Sequence, residues 1–381
     1  MTTTLEMNET DPAAARLAKL RTYREADPAN ARLLAEIFDL ALATGRRDEA
    51  RATLADARAR FPQDDHFAFR AATLAIAERR LDEARTLLAS LRERQPDDFA
   101  IAYNLAYVDV LEGRFAEAGA LLEPLASAPD APVEAATLWL HALHHAGELE
   151  LARTAARSLL ARHPEDPGLL AVVSLALWDL GDVPDARRLA DQALERAPHT
   201  LAALVTRGSI ALGERDASAA AESFTRALSV NKVDGRSWSG LGLASLLSRD
   251  FESARTQLQT ALEYMPGHIG TWHALAWCHI AGQRLAQARE AFERALAIDR
   301  NFAETHGGLA VVAALSGDAA ASDTHAKRAL GLDPQCISAR YAQALLSGEI
   351  RDGESFQRLA ERLLSGQGDL AKVLARLQRP G

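Results

Sequence analysis

Proline recurs along this chain at an interval that few folds accommodate. Steps of 34 residues from Pro28 reach ten positions, and seven of them are proline in a chain that has 14 prolines. The ten positions are Pro28, Pro62, Pro96, Asp130, Pro164, Pro198, Lys232, Pro266, Arg300 and Pro334. Because a repeat of roughly 20 to 50 residues is typical of stacked architectures, the chain is expected to fold as a series of similar units rather than around one core.

A second set of positions indicates what each unit contains. Eight alanines keep the same interval, namely Ala50, Ala84, Ala118, Ala152, Ala186, Ala220, Ala254 and Ala288. In residues 31–64, apolar side chains from Leu34 onward follow the i, i+3, i+4 spacing of an amphipathic helix. Gly45 can end this first helix, and Pro62 cannot continue the second. Each unit is therefore predicted to be a helical hairpin whose helices cross at the alanine, where only a methyl group fits.

The stretch from residue 238 to residue 266 carries the most complete copy of the pattern. Its matching residues are Trp238, Leu241, Gly242, Ala254, Leu258, Ala261 and Pro266. This resembles the tetratricopeptide repeat, W-x2-L-G-x2-Y followed by A-x3-F-x2-A and P. Other units depart from it, with Ala41 or Leu143 where the family usually has tyrosine. The resemblance implies an all-α fold, an α-solenoid with a right-handed superhelical path and about ten helix-turn-helix units between terminal capping helices.

The register of the repeat divides the chain into five segments. They are a disordered N-terminus at 1–10, an N-terminal capping helix at 11–30, nine units at 31–336, a degenerate tenth unit at 337–368, and a C-terminal capping helix and tail at 369–381. Every residue from 11 to 379 then belongs to a repeat or a cap, which leaves no segment for a catalytic domain.

Charge and composition narrow the function classes and the compartment. A net charge of -9 argues against a nucleic-acid partner, because phosphate binding depends on clustered Lys and Arg. The two cysteines, Cys278 and Cys336, form no C-x-x-C pair, which favours a reducing compartment. Residues 1–10 lack the apolar core of a signal peptide, and no apolar run approaches the ~20 residues of a membrane span. The sequence therefore predicts a cytoplasmic protein without membrane insertion.

The resemblance also places candidate binding residues. In this family the first helix of each unit lines a concave groove with its positions 2, 5, 6, 9, 12 and 13. The candidates at these positions are Phe69, Arg70, Tyr103, Asn104, Tyr107, His141, His144, Trp178, Arg236, Leu243, His273, Trp277 and Val311. Aromatic members are the strongest, since aromatic anchors dominate protein interfaces, whereas an aliphatic member could equally pack against the next unit. Trp238 and Trp272 stand at the first consensus position and are predicted to be core residues.

Two specialised grooves of the family are not indicated. A carboxylate clamp needs a lysine at position 5 of a unit, and this chain has none. An asparagine ladder needs asparagine at position 6 of successive units, and here only one unit has it, at Asn104. Small residues such as Gly240, Gly307 and Gly308 instead predict a wide, shallow floor beside His273 in units seven to nine. The alternative is that these glycines only allow tighter helix packing.

Histidine supplies the remaining candidate chemistry. His141, His144 and His145 have the spacing at which two imidazoles on one helix can share a metal, although no third ligand is evident and a plain histidine cluster is the default. No phosphate-binding loop or nucleophile elbow occurs in the sequence. We therefore expect no enzyme activity, no cofactor and no metal.

The favoured function is a non-catalytic scaffold or adaptor that holds a peptide or protein segment in the concave groove. The alanine- and arginine-rich composition indicates a bacterial source. The alternative is a regulatory or substrate-recruiting subunit of a separate enzyme, such as a glycosyltransferase or an envelope or exopolysaccharide machine. Partner identity, homo-oligomer formation and the choice between an extended peptide and a helix stay open at this level.

Overall fold

The computed structural model describes residues 12–349 as α-helices joined by short turns. This part of the chain contains twenty helices and no strand. It divides into two compact units, one ending at Ala146 and one beginning at Gly147. No helix within residues 12–349 has the length and apolar content that crossing a bilayer requires.

The first unit contains eight helices. They are α1 (Pro12–Ala26), α2 (Ala31–Ala43), α3 (Arg47–Arg60), α4 (Asp65–Ala77), α5 (Leu81–Arg94), α6 (Phe99–Leu111), α7 (Phe115–Ser127) and α8 (Val133–His145).

The second unit contains twelve described helices. They are α9 (Leu149–Arg162), α10 (Pro167–Asp179), α11 (Val183–Arg196), α12 (Leu201–Gly213), α13 (Ala217–Val230), α14 (Gly235–Leu247), α15 (Phe251–Tyr264), α16 (Ile269–Ala281), α17 (Leu285–Ile298), α18 (Ala303–Leu315), α19 (Ala319–Leu332) and α20 (Ile337–Leu346).

The helices keep the period of the sequence. The even-numbered helices from α2 to α20 begin 34 residues apart, and so do the odd-numbered helices from α3 to α19. We call the even-numbered set the first helices and the odd-numbered set from α3 onward the second helices. The predicted segment boundaries stay a prediction. The segments 1–10 and 369–381, and the part of the predicted tenth unit (337–368) that follows residue 349, lie outside the described residues.

Local chemistry explains where the first helices begin. A side chain just before the helix accepts a hydrogen bond from a backbone N–H of the first turn, which would otherwise have no partner. Asp98 accepts from the N–H of Ile101 at 2.9 Å, and Asp166 accepts from that of Leu169 at 2.7 Å.

The turn after each first helix requires a left-handed backbone. From Gly45 to Gly317, the residue at every 34th position has a φ between 57° and 83°. Four of these nine residues are not glycine, namely Arg79, Arg215, Arg249 and Gln283. Hydrogen bonds of the Schellman type close the turn, as where the N–H of Arg46 donates to the carbonyl of Ala41 at 2.8 Å. The turn thus keeps its left-handed backbone even where a side chain makes that conformation unfavourable.

The recurring alanines mark the crossing points of the hairpins. Ala50, Ala118, Ala220 and Ala288 are fully buried. Larger second-helix side chains such as Leu88 and Phe224 fill the space between successive hairpins and are also buried. One hairpin could not cover these apolar faces alone, so each relies on its neighbour.

Candidate binding surface

Three aromatic side chains form a stripe along α6. Phe99, Tyr103 and Tyr107 are spaced i, i+4 and i+8, which places them on one helix face. Phe99 and Tyr107 are each 37% exposed, and the rings of Phe99 and Tyr103 stack with centroids 5.9 Å apart. We call these three residues the α6 aromatic stripe. Because the opposite face of α6 is buried in the core, the stripe is fixed in place by the fold.

The neighbours of the stripe come from α4 and α8, which pack on either side of α6. Burial raises the pKa of the Tyr103 hydroxyl, and the nearby charge of Glu134 on α8 adds to the effect. Asn104 donates from its side-chain Nδ2 to the carbonyl of Ala100 at 2.8 Å. Phe69 on α4 is half-buried against the core of the same region. The stripe is therefore bordered by amide and carboxylate groups as well as by the ring of Phe69.

Arg70 does not offer a free charge beside this surface. Its guanidinium donates two hydrogen bonds to the carboxylate of Asp39 on α2, at 2.6 and 3.0 Å. A partner carboxylate would have to compete with Asp39 for it, so Arg70 is placed better to orient neighbouring first helices than to bind a ligand.

The histidine cluster of α8 packs as aromatic rings. His144 is buried, and the rings of His141 and His145 lie 4.4 Å apart. His145 stacks on Phe115 of α7 at 4.8 Å. Burial, together with the nearby His144, lowers the pKa of His141 to about 4, so this imidazole is neutral at pH 7. Within residues 12–349 no group of three or more His, Cys, Asp or Glu side chains is arranged to hold a metal ion.

In the second unit, several predicted groove residues are buried instead of exposed. Trp178 is 2% exposed, and Val311 has no exposed surface. The Trp178 indole packs against α12, where a Cβ on Gly213 would lie 3.4 Å from its ring. Their positions match the groove pattern, but first helices with small side chains approach closely enough to cover them. Trp178 and Val311 therefore contribute to packing, contrary to the expectation of a groove.

His273 is likewise a core residue. It is 5% exposed, and its ring lies 5.3 Å from that of Phe292 and 5.4 Å from that of Phe302. Its Nε2 is hydrogen-bonded to Thr305 Oγ1 on the next first helix, at 2.8 Å. Burial, with a smaller effect of His268, lowers its pKa to about 4. The ring acts as a polar link between α16 and α18.

Sequence reasoning missed the partner of Arg236. Asp179, at the end of α10, is 1% exposed and accepts hydrogen bonds of 2.7 and 3.2 Å from Arg236 on α14. The pair joins two first helices 57 residues apart and passes over α12. No single repeat contains both residues, so only a search for opposite charges two units apart could have found it.

Trp277 makes a similar contact across α18. Its ring lies 6.3 Å from that of Tyr341 on α20, and both side chains are half-buried against the same core cluster. Leu243 on α14 is half-buried as well. The candidates in the second unit that keep part of their side chains at the surface are Trp277, Leu243 and Arg236.

The glycines of units seven to nine do not make a shallow floor. A Cβ on Gly240 would lie 2.2 Å from Cζ of Phe224, and one on Gly308 would lie 2.3 Å from Cζ of Phe292. Such distances are far below van der Waals contact, so the glycines make room for phenylalanine rings of the second helices. The wide floor was the wrong interpretation, and tighter helix packing is the right one.

Trp238 and Trp272 are only partly core residues. Each indole is half-buried, and its Nε1–H donates to a carbonyl six residues earlier, that of Lys232 at 2.9 Å or Pro266 at 2.8 Å. This bond pins the ring to the loop before its helix and leaves one edge at the surface.

Sequence and structure comparisons agree with this architecture. Two family models, both described as tetratricopeptide repeat, match the chain, one at residues 5–73 and 245–312 and the other at 69–132, 174–229 and 205–268. Among curated proteins, a sequence search found no match.

Similar solved structures consist of the same kind of repeat. A human IFIT1 dimer with m7Gppp-AAAA aligns with a TM-score of 0.57 and 14% identity over 94% of this chain and 96% of that chain. Pseudomonas aeruginosa PilF aligns with a TM-score of 0.46 and 15% identity over 55% of this chain and 96% of that chain. MamA aligns with a TM-score of 0.37 and 19% identity over 41% of this chain and 91% of that chain. At these identities the likeness concerns the fold, and the IFIT1 alignment together with the all-helical structure confirms the predicted all-α solenoid class.

Proposed function

Because the chain belongs to the tetratricopeptide repeat family, whose fold generally supports protein–protein interaction and is typically non-catalytic, we propose that it is a scaffold that binds an extended segment of a partner protein. The binding surface is the α6 aromatic stripe with its neighbours on α4 and α8. This surface replaces most of the longer groove expected from the sequence.

The exposure of the stripe is the observation that carries this proposal. Large aromatic side chains bury much area at a small cost in rotamer entropy, and a few such anchors supply most of the binding energy of a typical interface. Phe99 and Tyr107 leave more than a third of their surface open to solvent, although the other face of their helix is closely packed. Solvent exposure of this kind costs free energy unless a partner covers the rings.

The spacing of the rings can accommodate an extended peptide. Residues four apart on α6 are separated by about 6 Å along the helix axis, close to the 5.9 Å between the Phe99 and Tyr103 centroids. Alternate side chains of an extended strand lie about 6.6 Å apart on one face. A peptide lying along α6 can therefore place every second side chain between successive rings. The hydroxyl groups of Tyr103 and Tyr107 can hydrogen-bond to its backbone.

Two other functions are weighed against this one. A regulatory subunit of a separate enzyme complex would use the same surface, with an enzyme as its partner. The IFIT1 structure with m7Gppp-AAAA suggests RNA binding as another function, but the similarity of this chain to IFIT1 shows the fold alone. A chain with a net charge of -9 is poorly suited to phosphate contacts.

Selection of linear peptides from a display library on the wild-type protein tests the proposal. We expect enriched peptides to alternate apolar with polar residues, and Tyr107→Ala to weaken their binding by about 30-fold, as for a hot spot of about 2 kcal/mol. Tyr264→Ala is the matched control, because Tyr264 is a 45% exposed tyrosine on α15 of the second unit.

Three outcomes decide between the functions. Peptide binding that is insensitive to Tyr107→Ala would contradict the stripe as the site. Preferential binding of an RNA oligonucleotide would favour the nucleic-acid function. If the selected motif maps to an enzyme that then binds the wild-type protein but not the Tyr107→Ala variant, the regulatory-subunit function is favoured.

A further inference from the structure

A cavity of about 390 Å³ opens between α15, α16 and α17 in the second unit. Its lining includes the apolar side chains of Leu262, Leu275 and Ala291. Trp272 contributes an aromatic wall, and the hydrogen bond from its Nε1–H to the carbonyl of Pro266, at 2.8 Å, holds the indole in one orientation. The cavity therefore has a rigid aromatic side and an apolar base.

The imidazole of His279, which lines the cavity, has a ring nitrogen without a hydrogen-bond partner. His279 is 6% exposed, and its Nδ1 has no hydrogen-bond partner. Burial lowers the pKa of this imidazole, with further contributions from the charges of Arg284 and Arg255, so the ring is neutral at pH 7. The Nδ1 atom is itself covered, so the imidazole contributes an uncharged wall to the cavity and no hydrogen bond to a ligand within it.

The rim of the cavity is acidic. Glu263 on α15 and Glu290 on α17 line it from different helices, and both are exposed. Glu290 has only a long, exposed ion pair of 3.8 Å with Arg294. The two arginines that act on His279 are both held by Glu252, whose single carboxylate compensates one of their two charges.

The preceding repeat shows that the polar side chains of the cavity are not a general feature of the repeat. Trp238 stands 34 residues before Trp272 and has the same hydrogen bond to a loop carbonyl, at 2.9 Å. In that repeat, however, Ser229 and Thr256 occupy the positions of the two rim carboxylates. Ser245 and Gln257 occupy the positions of His279 and Ala291, and they hydrogen-bond to each other at 2.8 Å. The two rim carboxylates and the buried histidine are thus present in the later repeat and absent from the preceding one.

We propose that this cavity binds the guanidinium group of an arginine side chain carried by a partner protein. A guanidinium is planar and weakly hydrated, so it can stack on the Trp272 indole more readily than an ammonium can. Its five N–H donors match the carboxylates of Glu263 and Glu290, and the neutral imidazole of His279 places no positive charge in the wall between them. This surface lies in the second unit and does not depend on the α6 aromatic stripe.

Titration of the full-length protein with Nα-acetyl-arginine amide tests the proposal, with NMR detection of the tryptophan indole N–H signals. The signal of Trp272, assigned with a Trp272→Phe variant, is expected to shift, and that of Trp238 is expected to stay unchanged. Nα-acetyl-citrulline amide, which has the same shape without the charge, should bind at least about tenfold more weakly. The double variant Glu263→Gln/Glu290→Gln should weaken arginine binding by a similar factor, and Ser229→Ala/Thr256→Ala is its matched control.

Because Glu263 and Glu290 are exposed, the double variant is expected to keep its fold, which circular dichroism verifies. Equal binding of the citrulline compound, an equal shift of the Trp238 signal, or full affinity in the Gln variant would overturn the proposal. A Gly-Gly-Arg-Gly-Gly peptide should bind at least as tightly as free L-arginine. If free L-arginine binds and the peptide does not, the ligand is the amino acid, and a partner protein as its source is refuted.

Discussion

Residues 12–146 and residues 147–349 are built from the same hairpin but differ in how their first helices present large side chains. In the first region, α6 exposes an aromatic stripe to solvent, and α2 and α4 are joined at the surface by Arg70 and Asp39. In the second region, Trp178 and Val311 are buried between first helices, and Asp179 pairs with Arg236 two repeats away. Equivalent repeat positions are thus exposed to solvent in one region and buried in packing in the other.

Side-chain size on the first helices accounts for the difference. In the second region, short hydroxyl side chains link successive first helices, as where Ser174 bonds to Thr206 at 3.1 Å and Ser239 to Thr271 at 2.9 Å. Glycine at 240 and 308 admits phenylalanine rings from the second helices. In the first region, the rings of α6 are not enclosed in this way, and Phe99 and Tyr107 stay at the surface. A change at an aromatic residue should therefore affect stability in the second region and binding in the first.

The largest expected effect is the loss of Phe224. Its ring is 1% exposed and contacts the glycines of both α12 and α14, so Phe224→Ala should lower the free energy of unfolding by about 3 to 5 kcal/mol. The matched variant in the first region is Tyr107→Ala, which removes a 37% exposed ring and should cost less than about 1 kcal/mol. Urea unfolding followed by circular dichroism measures both. Similar losses in the two variants would mean that Tyr107 belongs to the core.

The next effect concerns the two arginine–aspartate pairs. Arg236→Gln leaves the carboxylate of Asp179, which is 1% exposed, without its counter-charge, and should cost about 3 kcal/mol. Arg70→Gln should cost less than about 1 kcal/mol, because the side chain of Asp39 is 54% exposed and water can replace the arginine. The same unfolding experiment compares them, and a double variant Arg236→Gln/Asp179→Asn should recover part of the loss. Equal costs for the two arginine variants would show that the Asp179 pair is not a buried link.

A smaller effect should appear on acidification, and it should affect both regions. The folded-state pKa values of His141 in the first region and His273 in the second are each lowered to about 4. The unfolded chain then binds more protons between about pH 6.5 and pH 4, so stability present above this window is lost as the pH falls through it. For a single histidine with these values, the loss between pH 7.5 and pH 5 is about 2 kcal/mol.

Urea unfolding at pH 7.5 and at pH 5 measures this loss, and a His273→Asn variant is expected to show a smaller difference between the two conditions. NMR titration of the His273 ring provides a direct check. A pKa near the ordinary value of 6.5 would contradict the enclosure of this ring between Phe292 and Phe302.

The residues that set the repeat could be identified from the sequence because each acts locally. Asp98 begins a helix through a hydrogen bond to an amide three residues later, and Gly45 ends one by adopting a positive φ. Ala50 fits a helix crossing inside its own hairpin. These effects depend on neighbours within about 34 residues, so the period, the all-α class and the family follow from the pattern.

The candidate surface could be predicted only in part. Phe69, Tyr103 and Tyr107 lie at or near the surface where the family pattern places them, but Trp178, Val311 and His273 do not. Position within a repeat indicates which way a side chain leaves its helix. It does not indicate how close the next helix lies, and that distance decides between surface and core.

By itself, the sequence determined the period of the repeat and the all-α class. Only the tertiary structure showed three features between helices. The ring of Phe224 occupies the space beside Gly240, and Asp179 pairs with Arg236 across an intervening helix. A cavity lined by Ala291 lies beside Trp272. The physical reason is that helix ends are governed by backbone hydrogen bonds over a few residues. Burial of a side chain, in contrast, depends on the combined size of side chains from three or more helices, which no single repeat contains.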